Sequence, residues 1–106
     1  DKAAANLKEV TGRPKDIIYY QAQDLAAGIE VRRRNYDRAI EMYKNLEAEK
    51  TAVYPLDAIL FHRAEAHALK GEIKEARELY QRLQTEFSQT YYGYEASIRA
   101  GRLGTG

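Results

Sequence analysis

The chain has no cysteine and only two prolines in 106 residues. The first absence removes disulfides, thiolate zinc sites and thiol catalysis together, and leaves the redox compartment open. Charge of one sign is also missing, since 17 basic residues face 16 acidic ones for a formal net charge of +1. Such a chain has no global field with which to hold a polyanion, so nucleic-acid binding and an anionic-membrane role are disfavoured. No stretch approaches the roughly 18 consecutive apolar residues of a membrane span, which excludes direct insertion by a helix. No signal-peptide pattern is present either, and a sequence that opens on Asp1 rather than methionine is expected to be a processed or excised piece. With few prolines, few β-branched runs and much Ala, Leu, Glu, Lys, Arg and Gln, the composition predicts helices.

The helices come in related pairs. Tyr36, Ala39, Ile40, Tyr43 and Leu46 recur at the three-and-four spacing of a single helical stripe, with Asn35 as the expected N-cap. Ile73, Ala76, Tyr80, Leu83 and Phe87 repeat that stripe just after Gly71, a residue suited to closing the preceding helix in a left-handed turn. A shift of 37 residues superposes the two stretches, placing Ala39 on Ala76, Tyr43 on Tyr80 and Leu46 on Leu83. Each is preceded by a second helical segment, "DIIYYQAQDLAAGIEVRRR" and "LDAILFHRAEAHALKG". A further match with the register moved by one, Tyr54 over Tyr92 and Ala58 over Ala96, predicts a fifth helix over about 92–103. The sequence therefore divides into a tail of an earlier repeat over 1–12, repeats over 15–50 and 55–87, and a capping helix over 91–103, all within one domain over 1–106.

Three consecutive arginines, Arg32, Arg33 and Arg34, stand out as a possible phosphate grip. The 37-residue shift argues otherwise, because it lays Arg33 and Arg34 on Lys70 and Gly71, where a helix ends and cations complement its dipole. His62 and His67 are five apart, roughly 140° around a helix, which is poor spacing for a shared metal. No metal site and no cofactor are expected. His67 reads as a packed histidine, and His62 with Glu65 as a local hydrogen-bonded pair one turn apart. Ser88 and Ser97 lie in no nucleophile context, and "GRLGTG" at the end has no preceding strand to make it a phosphate loop. Lys74, Glu78, Arg82 and Glu86 alternate in sign at four-residue spacing, the pattern of a solvated face. Nothing here assembles an enzyme.

The paired helices resemble the tetratricopeptide repeat, whose second helix carries an alanine, three residues, then an aromatic. Ala39 to Tyr43 and Ala76 to Tyr80 supply that motif twice. The family's signature positions in the first helix hold Gln23, Ala26, Ala27 and Glu30, then Leu60, Arg63, Ala64 and His67, so that only the small residues fit, and the proline after the second helix is replaced by Thr51 and Ser88. The 37-residue spacing is similar to repeats of bacterial cell-envelope proteins, the outer-membrane assembly lipoproteins and Tol-associated periplasmic coordinators, which tilts the expected location toward the periplasm.

The resemblance implies an all-α, right-handed α-solenoid of antiparallel helix pairs, about five helices, that binds a protein or peptide partner in a concave groove. The groove would be lined by Gln21, Asp24, Arg32, Phe61, His62, Glu65 and Arg99, with Phe61 as an exposed anchor inside a polar rim. The alternative is an oligomerising scaffold that uses its tyrosine-rich C-terminal end. Tyr91, Tyr92 and Tyr94 cannot share one side of a helix, so at least one of them is expected to face outward.

Overall fold

The structure, a computed structural model, describes residues 16–103. The expected repeat tail over 1–12 and the last three residues lie outside that range. Five α-helices and no strand form among the described residues: α1 (Ile17–Arg32), α2 (Tyr36–Ala48), α3 (Leu56–Lys70), α4 (Ile73–Glu86) and α5 (Tyr91–Arg102). The chain is all-α. It divides into two compact units, the first ending at Pro55 and the second beginning at Leu56.

In the first unit α1 packs on α2. The Asp16 carboxylate accepts a hydrogen bond from the Tyr19 backbone N–H at 3.0 Å, which caps α1 and satisfies one of its free N-terminal donors. Tyr20, Ala22, Asp24 and Ala27 are buried on α1, and Ala39, Ile40, Tyr43 and Leu46 on α2. Ala27 and Ala39 have no exposed surface at all, as expected where two helix backbones approach closely.

The second unit has three helices, with α4 packed against both α3 and α5. Its core joins Leu60, Phe61 and Ala64 of α3 to Ala76, Leu79, Tyr80 and Leu83 of α4 and Ala96 of α5. Four core positions of the first unit thus reappear 37 residues on: Ala27 and Ala64, Ala39 and Ala76, Tyr43 and Tyr80, Leu46 and Leu83 are all buried. For α5 the buried positions fit either spacing: Ala96 is buried, and so are both Ala58, which stands over it with the register moved by one, and Ile59, 37 residues before it.

The turns repeat as closely as the cores. After α1, Asn35 N–H bonds Glu30 C=O at 2.8 Å and Arg34 N–H bonds Val31 C=O at 2.9 Å; after α3, Glu72 N–H bonds His67 C=O at 2.8 Å and Gly71 N–H bonds Ala68 C=O at 3.1 Å. Both turns close a helix through one left-handed residue. The same positions also pair through their side chains. Asn35 Nδ2 donates to Glu30 Oε2 at 2.8 Å, and His67 Nδ1 donates to Glu72 Oε1 at 2.9 Å. Asn35 therefore begins α2 without capping it by its side chain, because its amide is held by the helix behind it. His67 is buried, and its hydrogen bond holds the Glu72 carboxyl below the usual carboxylate range.

The arginine run ends in this turn. Arg32, Arg33 and Arg34 are exposed, Arg33 reaches Glu30 at 3.7 Å, and Arg34 adopts φ 65° where the second turn has Gly71 at φ 97°. A side chain in that region clashes with its own backbone, and glycine does not. Arg34→Gly should therefore stabilise the first unit by about 0.5 to 1 kcal/mol. A rise in the urea midpoint checks it, and a fall would show that the strain is offset by contacts of the arginine.

Candidate functional site

Four of the residues expected to line a groove meet in the second unit. Phe61, His62 and Glu65 lie along one side of α3, and α5 brings Arg99 to them. Arg99 Nη1 donates to Glu65 Oε2 at 3.2 Å, and its guanidinium lies 5.4 Å from the centre of the Phe61 ring. Glu65 thus turns to a residue 34 positions away. Sequence spacing pointed instead to His62, one turn before it. Tyr92, also on α5, completes the cluster with its ring centre 5.1 Å from Phe61 and 5.9 Å from His62.

Phe61 is the floor of this patch and not its anchor. Only 5% of it is exposed, because Tyr80 stands 5.8 Å away on one side, Tyr92 covers another and Arg99 lies over the face. The expectation of an exposed aromatic is corrected here: an apolar ring between two helices gains more by joining the core than by waiting for a partner. What remains accessible is polar, with about a third of the Glu65 and Arg99 side chains open to solvent. A bridge this exposed contributes about 1 kcal/mol or less to stability, so exchanging it for a partner's charges costs the fold little.

The phenol of Tyr80 lies beneath the bridge. Burial raises its pKa to about 12, the Glu65 carboxylate pushes the same way, and Arg99 opposes both. A pKa raised above its unfolded value of about 10 stabilises the fold fully below pH 10, and that contribution is lost as pH rises toward 12. That contribution amounts to about 2 to 3 kcal/mol. Urea melts between pH 9 and pH 12.5 should show this decline, and Tyr80→Phe should remove it. Tyr80 was legible in the sequence only as a core aromatic. Its hydroxyl became part of the site through residues on two other helices.

The remaining expected groove residues belong to the first unit. Gln21 and Arg32 are exposed on α1. Asp24 is 9% exposed, and its carboxylate accepts a hydrogen bond from the Tyr54 hydroxyl, whose ring stands 6.4 Å from that of Tyr20. Tyr20 in turn donates to Glu49 at 3.4 Å. Asp24 is thereby a buried, satisfied acid within its unit, and its expected place on a groove surface is corrected.

The tyrosines of α5 separate as their spacing required. Tyr92 turns inward, while Tyr91 and Tyr94 are 68% and 65% exposed. Among the described residues no cluster of three His, Asp or Glu side chains could hold a metal ion. Nor is any described helix long and apolar enough to cross a membrane.

No family model, no curated protein and no solved structure matches the chain.

Proposed function

We propose that the chain is a protein-binding module of the tetratricopeptide-repeat kind, which takes a segment of a partner on the polar face that α3 and α5 share. The observation that carries this reading is the convergence of His62, Glu65, Tyr92 and Arg99 over a buried aromatic floor. A cation, a carboxylate and two ring edges stand together there, half-exposed, on two helices that are not consecutive in sequence. A bound segment with charges of both signs would replace the internal Glu65–Arg99 pair by two pairs of its own. The duplicated turns and buried positions at 37-residue spacing support the repeat reading and, with it, a right-handed solenoid of helix pairs. Binding is favoured over catalysis because Glu65, the carboxylate of this face, is held by Arg99. The resemblance to bacterial cell-envelope repeats supports a periplasmic setting.

Panning a displayed peptide library on the whole chain tests the reading. Selected peptides should bind the parent and lose at least about tenfold in affinity against Arg99→Glu, the loss of one charged contact of about 1.4 kcal/mol. The far-UV spectrum and melting temperature of the variant should stay near the parent's. Peptides that bind both proteins equally would refute the α3–α5 site.

A second reading, a scaffold that self-associates through its C-terminal helix, is favoured by the exposure of Tyr91 and Tyr94. With Phe61 buried, these are the aromatics the second unit presents to solvent.

A further inference from the structure

At the 37-residue spacing, helix α5 carries a face whose counterparts on α1 are buried and on α3 are buried or half-buried. Steps of 37 residues lead from Ala27 through Ala64 to Gly101, from Asp24 through Phe61 to Ile98, and from Tyr20 through Asp57 to Tyr94. On α1, Tyr20, Asp24 and Ala27 are buried; on α3, Phe61 and Ala64 belong to the core shared with α4, and Asp57 is half-buried. On α5 the equivalent face is open at both ends, with Ile98 half-buried between them. Tyr94 is 65% exposed, Gly101 is exposed, and a Cβ placed on Gly101 would meet nothing within 4 Å. The repeat therefore indicates what such a face accepts, namely another helix.

Which helix follows from the face itself. It holds both halves of one contact, an aromatic projection at Tyr94 and a gap at Gly101, seven residues and two turns apart, a separation of about 10.5 Å. Two copies of α5 laid antiparallel about a two-fold axis near Ser97 and Ile98 place Tyr94 of each over Gly101 of the other. The charges agree with that arrangement. Glu95 and Arg102 lie seven apart on the same flank, Arg102 is exposed, and it has no ion-pair partner among the described residues. The two-fold that seats the tyrosines brings Glu95 of each copy within two residues, about 3 Å along the helix, of Arg102 of the other, twice, an offset that the long arginine side chain spans. Such self-complementarity is what an isologous interface requires.

We infer that the chain forms a two-fold dimer through α5, with Tyr94 seated at Gly101 of the second copy and Glu95 paired with its Arg102. This deepens the scaffold reading of the tyrosine-bearing helix and does not depend on the α3–α5 face, whose Arg99 and Glu65 point into their own bridge.

Sedimentation equilibrium of the whole chain measures the dimer directly. The parent should dimerise in a concentration-dependent manner, and Gly101→Gln, which fills the gap without touching the fold, should raise the dissociation constant at least about tenfold. Glu95→Arg and Arg102→Glu should each weaken the dimer, and the double variant Glu95→Arg with Arg102→Glu should restore it, a recovery that simple loss of stability cannot produce. A parent that stays monomeric, a dimer indifferent to Gly101→Gln, or a double variant no better than its singles would each overturn the proposal. A monomeric parent that instead binds a synthetic peptide of residues 72–87 at α5 would overturn it in favour of a helix from another protein. Library peptides that still bind monomeric Gly101→Gln keep the α3–α5 reading separate from all these outcomes.

Discussion

Gly93→Ala should destabilise the second unit by about 3 kcal/mol, near the upper end for a single added methyl group. Gly93 is buried in the first turn of α5, where a Cβ would stand 1.9 Å from the Phe87 carbonyl oxygen and 2.7 Å from its carbon. Both obstacles are backbone, so no side-chain rotation relieves them. The Phe87 carbonyl is moreover fixed, since it accepts hydrogen bonds from the Thr90 backbone N–H at 3.0 Å and from the Thr90 hydroxyl at 2.9 Å. Thr90 Oγ1 in turn accepts from the Gly93 N–H at 3.1 Å and caps α5. An added methyl group must push this loop apart or tilt the helix away from α4. Gly28→Ala provides the contrast: it lies within α1 with nothing within 4 Å of the new carbon, and should stabilise by about 0.5 to 1 kcal/mol. Urea denaturation of both variants checks the pair. Equal midpoints for the two would show that the approach of α5 to Phe87 is looser than described.

Phe61→Ala should cost about 3 to 5 kcal/mol, the range for emptying a buried aromatic site. The ring sits among Tyr80, Tyr92 and the Arg99 guanidinium, and its removal would leave three helices without their common contact. Loss of the thermal transition, or a large drop in its midpoint, is the expected result. A variant that melts with the parent would return Phe61 to the surface as a binding anchor. Since this substitution acts on the fold, Arg99→Glu is the cleaner probe of the face above it.

The sequence announced the second helices well. Ala39, Tyr43 and Leu46 repeat as Ala76, Tyr80 and Leu83, and helical periodicity leaves one side on which they can lie. Gly71 likewise named its own turn, whereas the 37-residue shift placed Arg34 only at a helix end, and its left-handed conformation came from the structure, because arginine has no preference for it. First helices were harder to read. They carry apolar residues on more than one side, so spacing alone could not decide whether Phe61 faced the core or the solvent. The answer lay with Tyr92 and Arg99, more than thirty residues later. Asp24 misled for the same reason, since the hydroxyl that satisfies it belongs to Tyr54. Polar residues settle where a distant partner can pair with them, and local pattern carries no record of that partner.

On the function proposed above, the face shared by α3 and α5 binds a partner segment. Two-dimensional amide NMR of the whole chain, titrated with a peptide selected from the library, tests this most directly. Saturable shift changes centred on His62, Glu65, Tyr92 and Arg99 are expected, absent from Arg99→Glu at the same peptide concentration. Changes confined to Tyr91, Tyr94 and Gly101, or to α1 around Gln21 and Arg32, would contradict it.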